Sequence, residues 1–164
     1  SNCQQVKFSP YHFVFISSVS VYGLIIGENI NENCSLLAED PYGMSKIDAE
    51  LAVKKWCEEH NVICTILRLP LIVGINPPGN LGSMIQGIKK GYYFNIAGGN
   101  AKKSMVLVSD IAKFVLKSSE FGGIYNLTDG IHPTFNELSK SISQNLDKSF
   151  VPNILLDQLL YLVF

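Results

Sequence analysis

Apolar residues follow two different rhythms along this chain. His12–Ser18 (HFVFISS) is an unbroken, β-rich apolar run, the pattern of a parallel strand covered on both faces. Between Tyr42 and His60 the period lengthens. Ala49, Ala52, Val53 and Trp56 recur at i, i+3, i+4 and i+7, while Asp48, Lys55, Glu58 and Glu59 fall opposite. That spacing predicts a helix with the first four residues turned inward. Asn61 follows it, and Val62–Leu69 (VICTILRL) reads as a second buried strand, completing a β-α-β unit.

The alternation continues downstream. A loop with Pro77, Pro78 and Gly79 leads to a short helix from about Asn80, with Leu81, Met84, Ile85 and Ile88 on one face. Lys103–Val108 (KSMVLV) predicts a strand, and Ser109 or Asp110 is the expected cap of a helix over IAKFVLKSS. Gly123–Leu127 (GIYNL) predicts another strand, with a turn at Asp129-Gly130. Thr134 and Glu137 have capping-box spacing ahead of the helix FNELSKSISQNL. The terminal VPNILLDQLLYLVF, broken by Asp157, predicts an amphipathic helix. Strands alternating with helices indicate an α/β fold built on a parallel sheet.

Composition narrows the function. The chain has 164 residues, 47% of them hydrophobic and 16% charged, which is globular and long enough for a core of its own. Net charge is −1, with Arg68 the single arginine, so no electrostatic footprint for nucleic acid is present. Cys3, Cys34, Cys57 and Cys64 form no C-x-x-C pair, and His12, His60 and His132 are scattered; no metal site is expected. Free thiols suit a reducing compartment, so a cytoplasmic location is expected. Residues 8–27 are rich in Phe, Val and Ile and free of formal charge, but Pro10, Gly23 and several serines interrupt them. A strand entering a loop fits them better than a membrane span or a signal peptide.

The chemistry concentrates in two places. Asp40-Pro41-Tyr42-Gly43-Met44-Ser45-Lys46 (DPYGMSK) sets a tyrosine one helical turn before a lysine. Composition alone would give about 0.5 such spacings by chance, so context must decide. Ser17 and Ser18 close the first strand, where open α/β sheets place their ligands, and Tyr42 follows Ser18 by 24 residues. Alternation along the strand points the two hydroxyls in opposite directions.

Taken together, SSVSVYG at the strand end, PYGMSK, the RLPLIVG strand end and KSMVLVSDIAKFVL resemble the extended short-chain dehydrogenase/reductases that act on nucleotide sugars. These include epimerases and dehydratases. The resemblance implies the C-terminal half of a Rossmann-like parallel sheet with flanking helices, plus part of a small substrate-binding domain. Residues 1–74 would hold the catalytic half, and 75–164 the substrate region interleaved with the last Rossmann elements. It implies an NAD- or NADP-dependent enzyme in which Tyr42 acts as phenolate base. A free phenol titrates near ~10, so the charge of Lys46 would be needed to favour the phenolate. Lys46 would also bond the nicotinamide ribose, and Ser18 the reacting oxygen. Ser17, Pro70 and Leu71 would lie along the cofactor, although Pro70 and Leu71 fit an ordinary core equally well. Ser18, Val19, Ser20 and Lys103 would face a nucleotide-sugar substrate.

Departures sharpen this. Val19 and Ser20 stand where dehydratases carry an Asp-Glu pair, which favours an epimerase or a reductase. Leu71 replaces the asparagine of many epimerases. Lys103 replaces an arginine that grips the substrate diphosphate, and it could do so only as a point charge, a solvated face being the alternative. A non-catalytic dinucleotide sensor is the rival class, but it has no need of Ser18, Tyr42 and Lys46 together. The glycine-rich G-x-x-G-x-x-G turn does not occur. The expectation is therefore a fragment that binds NAD poorly alone and is inactive in isolation. Its uncovered edge and apolar faces would favour self-association, with a homodimer as one way to cover them.

Overall fold

The computed structural model describes residues 10–24, 27–77, 79–118, 121–147 and 153–154. The chain divides into two compact units: residues 1–70 with 109–127, and residues 71–108 with 128–164.

In the first unit, strands β1 (His12–Ser18), β2 (Ile63–Leu69) and β6 (Gly123–Asn126) form a parallel sheet in the order β1-β2-β6. The register runs from His12 opposite Ile63 to Ser18 opposite Leu69, and from Thr65 opposite Gly123 to Arg68 opposite Asn126. All three strands therefore end at one rim. β2 is central, so Thr65, Ile66, Leu67, Arg68 and Leu69 are all buried. Where the apolar run of β1 predicts a strand covered on both faces, its residues are mostly half-buried and Ile16 is exposed; among the described residues β1 pairs only with β2.

Helix α1 (Pro41–His60) connects β1 to β2 and packs on both. Asp40 caps it by accepting from the N–H groups of Tyr42 and Gly43, and Pro41 suits the first position, where no N–H is needed. Asn61 closes it in the left-handed conformation at φ 53°. The buried positions are Gly43, Glu50 and Cys57, each seven residues apart. This corrects the expected inward face: Ala52 is exposed, and Trp56 lies at the surface with its ring stacked on His60 at 4.6 Å. The helix turned its carboxylate inward because a partner waits there, described below.

The remaining elements form the second unit, apart from α3 (Val108–Lys117), of which Ser109–Lys117 belong to the first. Helix α2 (Gly79–Lys90) buries Leu81, Met84 and Ile88, the face its spacing predicts, against Leu138 and Ile142 of α4 (Phe135–Asn145). Leu71 and Val73 of β3 (Leu71–Val73) pack on the same cluster. β3 pairs in parallel with β5 (Met105–Leu107), and β4 (Asn95–Ile96) with β7 (Asn153–Ile154). The predicted strand Lys103–Val108 is shorter at both ends, with Val108 already starting α3 ahead of the expected cap. The capping box forms: Thr134 Oγ1 accepts from the Glu137 N–H at 3.1 Å, and Glu137 Oε2 accepts from the Thr134 N–H at 2.8 Å. The expected C-terminal helix is not helical at Asn153–Ile154, which is extended, because pairing with β4 supplies the backbone bonds. The rest of that segment lies outside the described residues.

Candidate active site

At the C-terminal rim of β1 the chain alternates, as strands must. Ser17 points inward and its hydroxyl donates to Glu50 Oε1 at 2.6 Å. Ser18 instead caps a single 3-10 turn, Val19–Tyr22. Its Oγ accepts from the Ser20 N–H at 3.2 Å and donates to Ser20 Oγ at 3.0 Å, so two hydroxyls stand together. Gly23 then reverses the chain at φ 65°, where a side chain would strike the Leu37 carbonyl.

The start of α1 is held against this turn by Gly43. A Cβ there would lie 2.5 Å from Ala38 Cβ, 2.8 Å from Asp40 Oδ2 and 2.9 Å from the Ser20 carbonyl oxygen. Only a glycine lets the helix approach so closely. Tyr42, the residue before Gly43, is 55% exposed. Lys46 follows one turn later. Its Nζ lies 5.7 Å from the Tyr42 ring centre and 5.3 Å from that of Phe15, and donates to the Ile16 carbonyl at 3.1 Å. Ser18, Ser20, Tyr42 and Lys46 thus belong to one unit, on elements that meet at the rim of the sheet.

Beneath them is a buried polar network that the sequence reading passed over. Arg68 donates to Glu50 through Nε at 3.0 Å and Nη2 at 2.7 Å, a bidentate pair in which both side chains are 3% exposed. Its Nη1 donates to Tyr22 Oη at 3.0 Å and to the Glu32 carbonyl at 3.2 Å. Tyr22 Oη donates onward to Asn126 Oδ1 at 2.7 Å. Burial works against the Arg68 charge, but the bonds to Glu50 and Tyr22 outweigh it and hold the guanidinium above its ordinary value. The sequence carried two signals for this network: one arginine among twelve lysines, and a glutamate one turn beyond Lys46.

The other expected residues are placed as follows. Val19 is the first residue of the 3-10 turn and is half-buried. Pro70 ends the first unit, and Leu71 opens β3 in the second, where it packs in the α2–α4 core. Lys103 is in the second unit, exposed, with its N–H donating to the Pro133 carbonyl. A cavity of about 300 Å³ lies away from this constellation. Lys54, Cys57, Glu58, Asn61 and Cys64 line it, at the far end of α1 from Tyr42. Among the described residues no group of three or more His, Cys, Asp or Glu could hold a metal ion, and no helix is long and apolar enough to cross a membrane.

Comparison with known proteins adds three findings. The family model described as NAD dependent epimerase/dehydratase family matches residues 3–128. The N-acetyl-alpha-D-glucosaminyl-diphospho-ditrans,octacis-undecaprenol 4-epimerase of Escherichia coli O157:H7 is 32% identical over 143 residues, covering 84% of this chain and 43% of that protein. The chain thus spans less than half the length of that relative. Among solved structures, the UDP-N-acetylglucosamine 4-epimerase from Methanobrevibacter ruminantium M1, in complex with UDP-N-acetylmuramic acid, is 26% identical with a TM-score of 0.75. It covers 89% of this chain and 50% of that one. The UDP-glucuronic acid 4-epimerase from Bacillus cereus, in complex with UDP-glucuronic acid and NAD, reaches a TM-score of 0.77 over 92% of this chain and 50% of that chain. At 17% identity it shows the fold alone: an α/β, Rossmann-like parallel sheet with flanking helices.

Proposed function

Because the chain belongs to the NAD dependent epimerase/dehydratase family, we propose that it carries the proton-transfer residues of a nucleotide-sugar 4-epimerase. The observation that carries the reading is the Tyr42–Lys46 pair on one face of α1, with Lys46 bonded to the β1 carbonyl two residues before Ser18. Tyr42 takes the proton of a sugar hydroxyl, with the Lys46 ammonium one turn away on the same face of α1, 5.7 Å from the Tyr42 ring centre. Ser18 bonds the reacting oxygen by turning its one proton from Ser20 Oγ towards it, while its own oxygen still accepts from the Ser20 N–H. The proton then returns from Tyr42 to the same oxygen when the hydride taken from the carbon is restored to its other face.

No side chain accepts a hydride, so a nicotinamide, NAD or NADP, supplies that chemistry when bound. The residues present fit it: Lys46 spends one of its three donors on the Ile16 carbonyl, which leaves two for a ribose hydroxyl, and the Tyr42 ring is open to solvent. Pro70 and Leu71 would offer backbone to the cofactor, and Lys103 a charge to the substrate diphosphate. Ser17 contributes through position, its hydroxyl being taken by Glu50. Free Cys34, Cys57 and Cys64 agree with a cytoplasmic enzyme, acting as a homodimer on soluble nucleotide sugars.

The test is Tyr42→Phe in a chain extended at its N-terminus by a glycine-rich dinucleotide-binding half. Epimerisation of UDP-N-acetylglucosamine should fall by about 10²–10⁴-fold, the size of a lost general base, with NAD affinity unchanged. Undiminished turnover in the variant refutes the assignment.

A further inference from the structure

We propose that the buried Glu50–Arg68 pair is a positioning device for the Ser18–Ser20 turn, holding it in register with Tyr42 and Lys46. The inference rests on the preceding reading only for the roles of the residues positioned.

The geometry is that of a two-point clamp. Lys46 and Glu50 are one turn apart on α1, and each grips the end of β1: Lys46 Nζ takes the Ile16 carbonyl, and Glu50 takes the Ser17 hydroxyl. Successive residues of one strand are thereby fixed to successive turns of one helix. With Ser17 held inward, alternation sends Ser18 the other way, where it receives the Ser20 N–H. Arg68 extends the clamp. From β2 it reaches Glu50, the Tyr22 hydroxyl at the other end of the 3-10 turn, and the Glu32 carbonyl of the following loop. Tyr22 passes the constraint to Asn126 at the end of β6. The 3-10 turn is therefore anchored at both ends by one carboxylate–guanidinium pair.

Stability alone does not account for the pair. A buried salt bridge is often no more stabilising than well-packed apolar residues of the same volume. What an apolar pair cannot supply is direction. Glu50 accepts three bonds from β1 and β2, and Arg68 gives four to three different segments, so one arrangement of the rim satisfies them all. Neither residue touches the place where substrate would react. They act through Ser17, Tyr22 and the helix, and are positioning residues.

The experiment is amide hydrogen exchange by NMR on the 164-residue chain, comparing the parent with Glu50→Met/Arg68→Met and with Ser17→Ala. The first replaces the pair by apolar side chains. The second removes only the 2.6 Å bond to the strand end, and guards against the double variant failing to fold. The Ser20 and Gly23 amides, bonded to Ser18 Oγ and the Ser20 carbonyl, should exchange at least about tenfold faster in both variants. The amides of Ile66 and Leu67 in central β2 should keep their protection, and the midpoint of thermal unfolding should stay within about 5 °C of the parent. Unchanged exchange at Ser20 and Gly23 overturns the proposal. So does faster exchange spread evenly through β2, which would make the pair a general stabiliser. Because no turnover is measured, the result stands apart from the Tyr42→Phe assay, and either reading can fail without the other.

Discussion

Replacing Gly43 by alanine opposes two effects that the structure allows to be weighed. In an exposed helix the change would stabilise by about 1 kcal/mol, since glycine loses more backbone freedom on folding. Here the new methyl would lie 2.5 Å from Ala38 Cβ and 2.9 Å from the Ser20 carbonyl oxygen, where ordinary carbon contacts are about 3.5–4.0 Å. Neither neighbour can rotate away: one is a Cβ fixed to its backbone, the other a carbonyl. The third contact, Asp40 Oδ2 at 2.8 Å, belongs to the carboxylate whose other oxygen caps the helix, and turning it aside draws Oδ1 off the Tyr42 and Gly43 N–H groups, forfeiting about 1 kcal/mol of capping. Overpacking of this kind costs about 1–3 kcal/mol. The crowding and the lost cap together outweigh the propensity gain, leaving a net destabilisation of about 1–3 kcal/mol. Thermal unfolding followed by circular dichroism should show a midpoint lower by about 2–12 °C, taking about 2–4 °C per kcal/mol for a chain of this length. Gly91→Ala gives no such information, because its φ of 81° adds strain of its own. An unchanged or raised midpoint in Gly43→Ala would refute the close approach of α1 to the Ser18–Ser20 turn.

Two further outcomes are expected from titrating groups. The Glu137 carboxyl is held below its ordinary value by the Thr134 N–H and then by the Thr134 hydroxyl, so the folded chain binds that proton less readily than the unfolded one. Its contribution to stability is thus present above the unfolded value near 4.5 and is lost as pH falls through the lowered one. Melting curves from pH 7 to pH 3 should show a decline that is smaller in Glu137→Gln; identical declines would count against the cap. The Cys64 thiol is pushed up to about 11, first by burial and then by its bond to Cys57. Its alkylation by iodoacetamide, followed by mass spectrometry of the Cys64 peptide, should be slow at pH 8 and accelerate towards pH 11. Rapid labelling at pH 8 would contradict the packing at that end of α1.

The sequence by itself determined what depends on local periodicity and local chemistry. The β1-α1-β2 order follows from the change of apolar period between His12–Ser18 and Tyr42–His60, and strands alternating with helices require a parallel sheet. Thr134 with Glu137 is a cap whose partners lie within a single turn, so its spacing sufficed. Tyr42 and Lys46 were legible for the same reason, being one turn apart on one helix. Tertiary structure decided everything whose partner lies far along the chain. The inward face of α1 includes Glu50 because Arg68, 18 residues on and on another strand, supplies a bidentate partner; an isolated carboxylate would have stayed in water. Which of Ser17 and Ser18 turns inward was open in the sequence and is settled by that same carboxylate. Asn153–Ile154 is extended and not helical because β4 offers it backbone partners 58 residues away. Apolar period reports which residues leave water. It does not report what they meet when they do, and buried polar groups are fixed by that meeting.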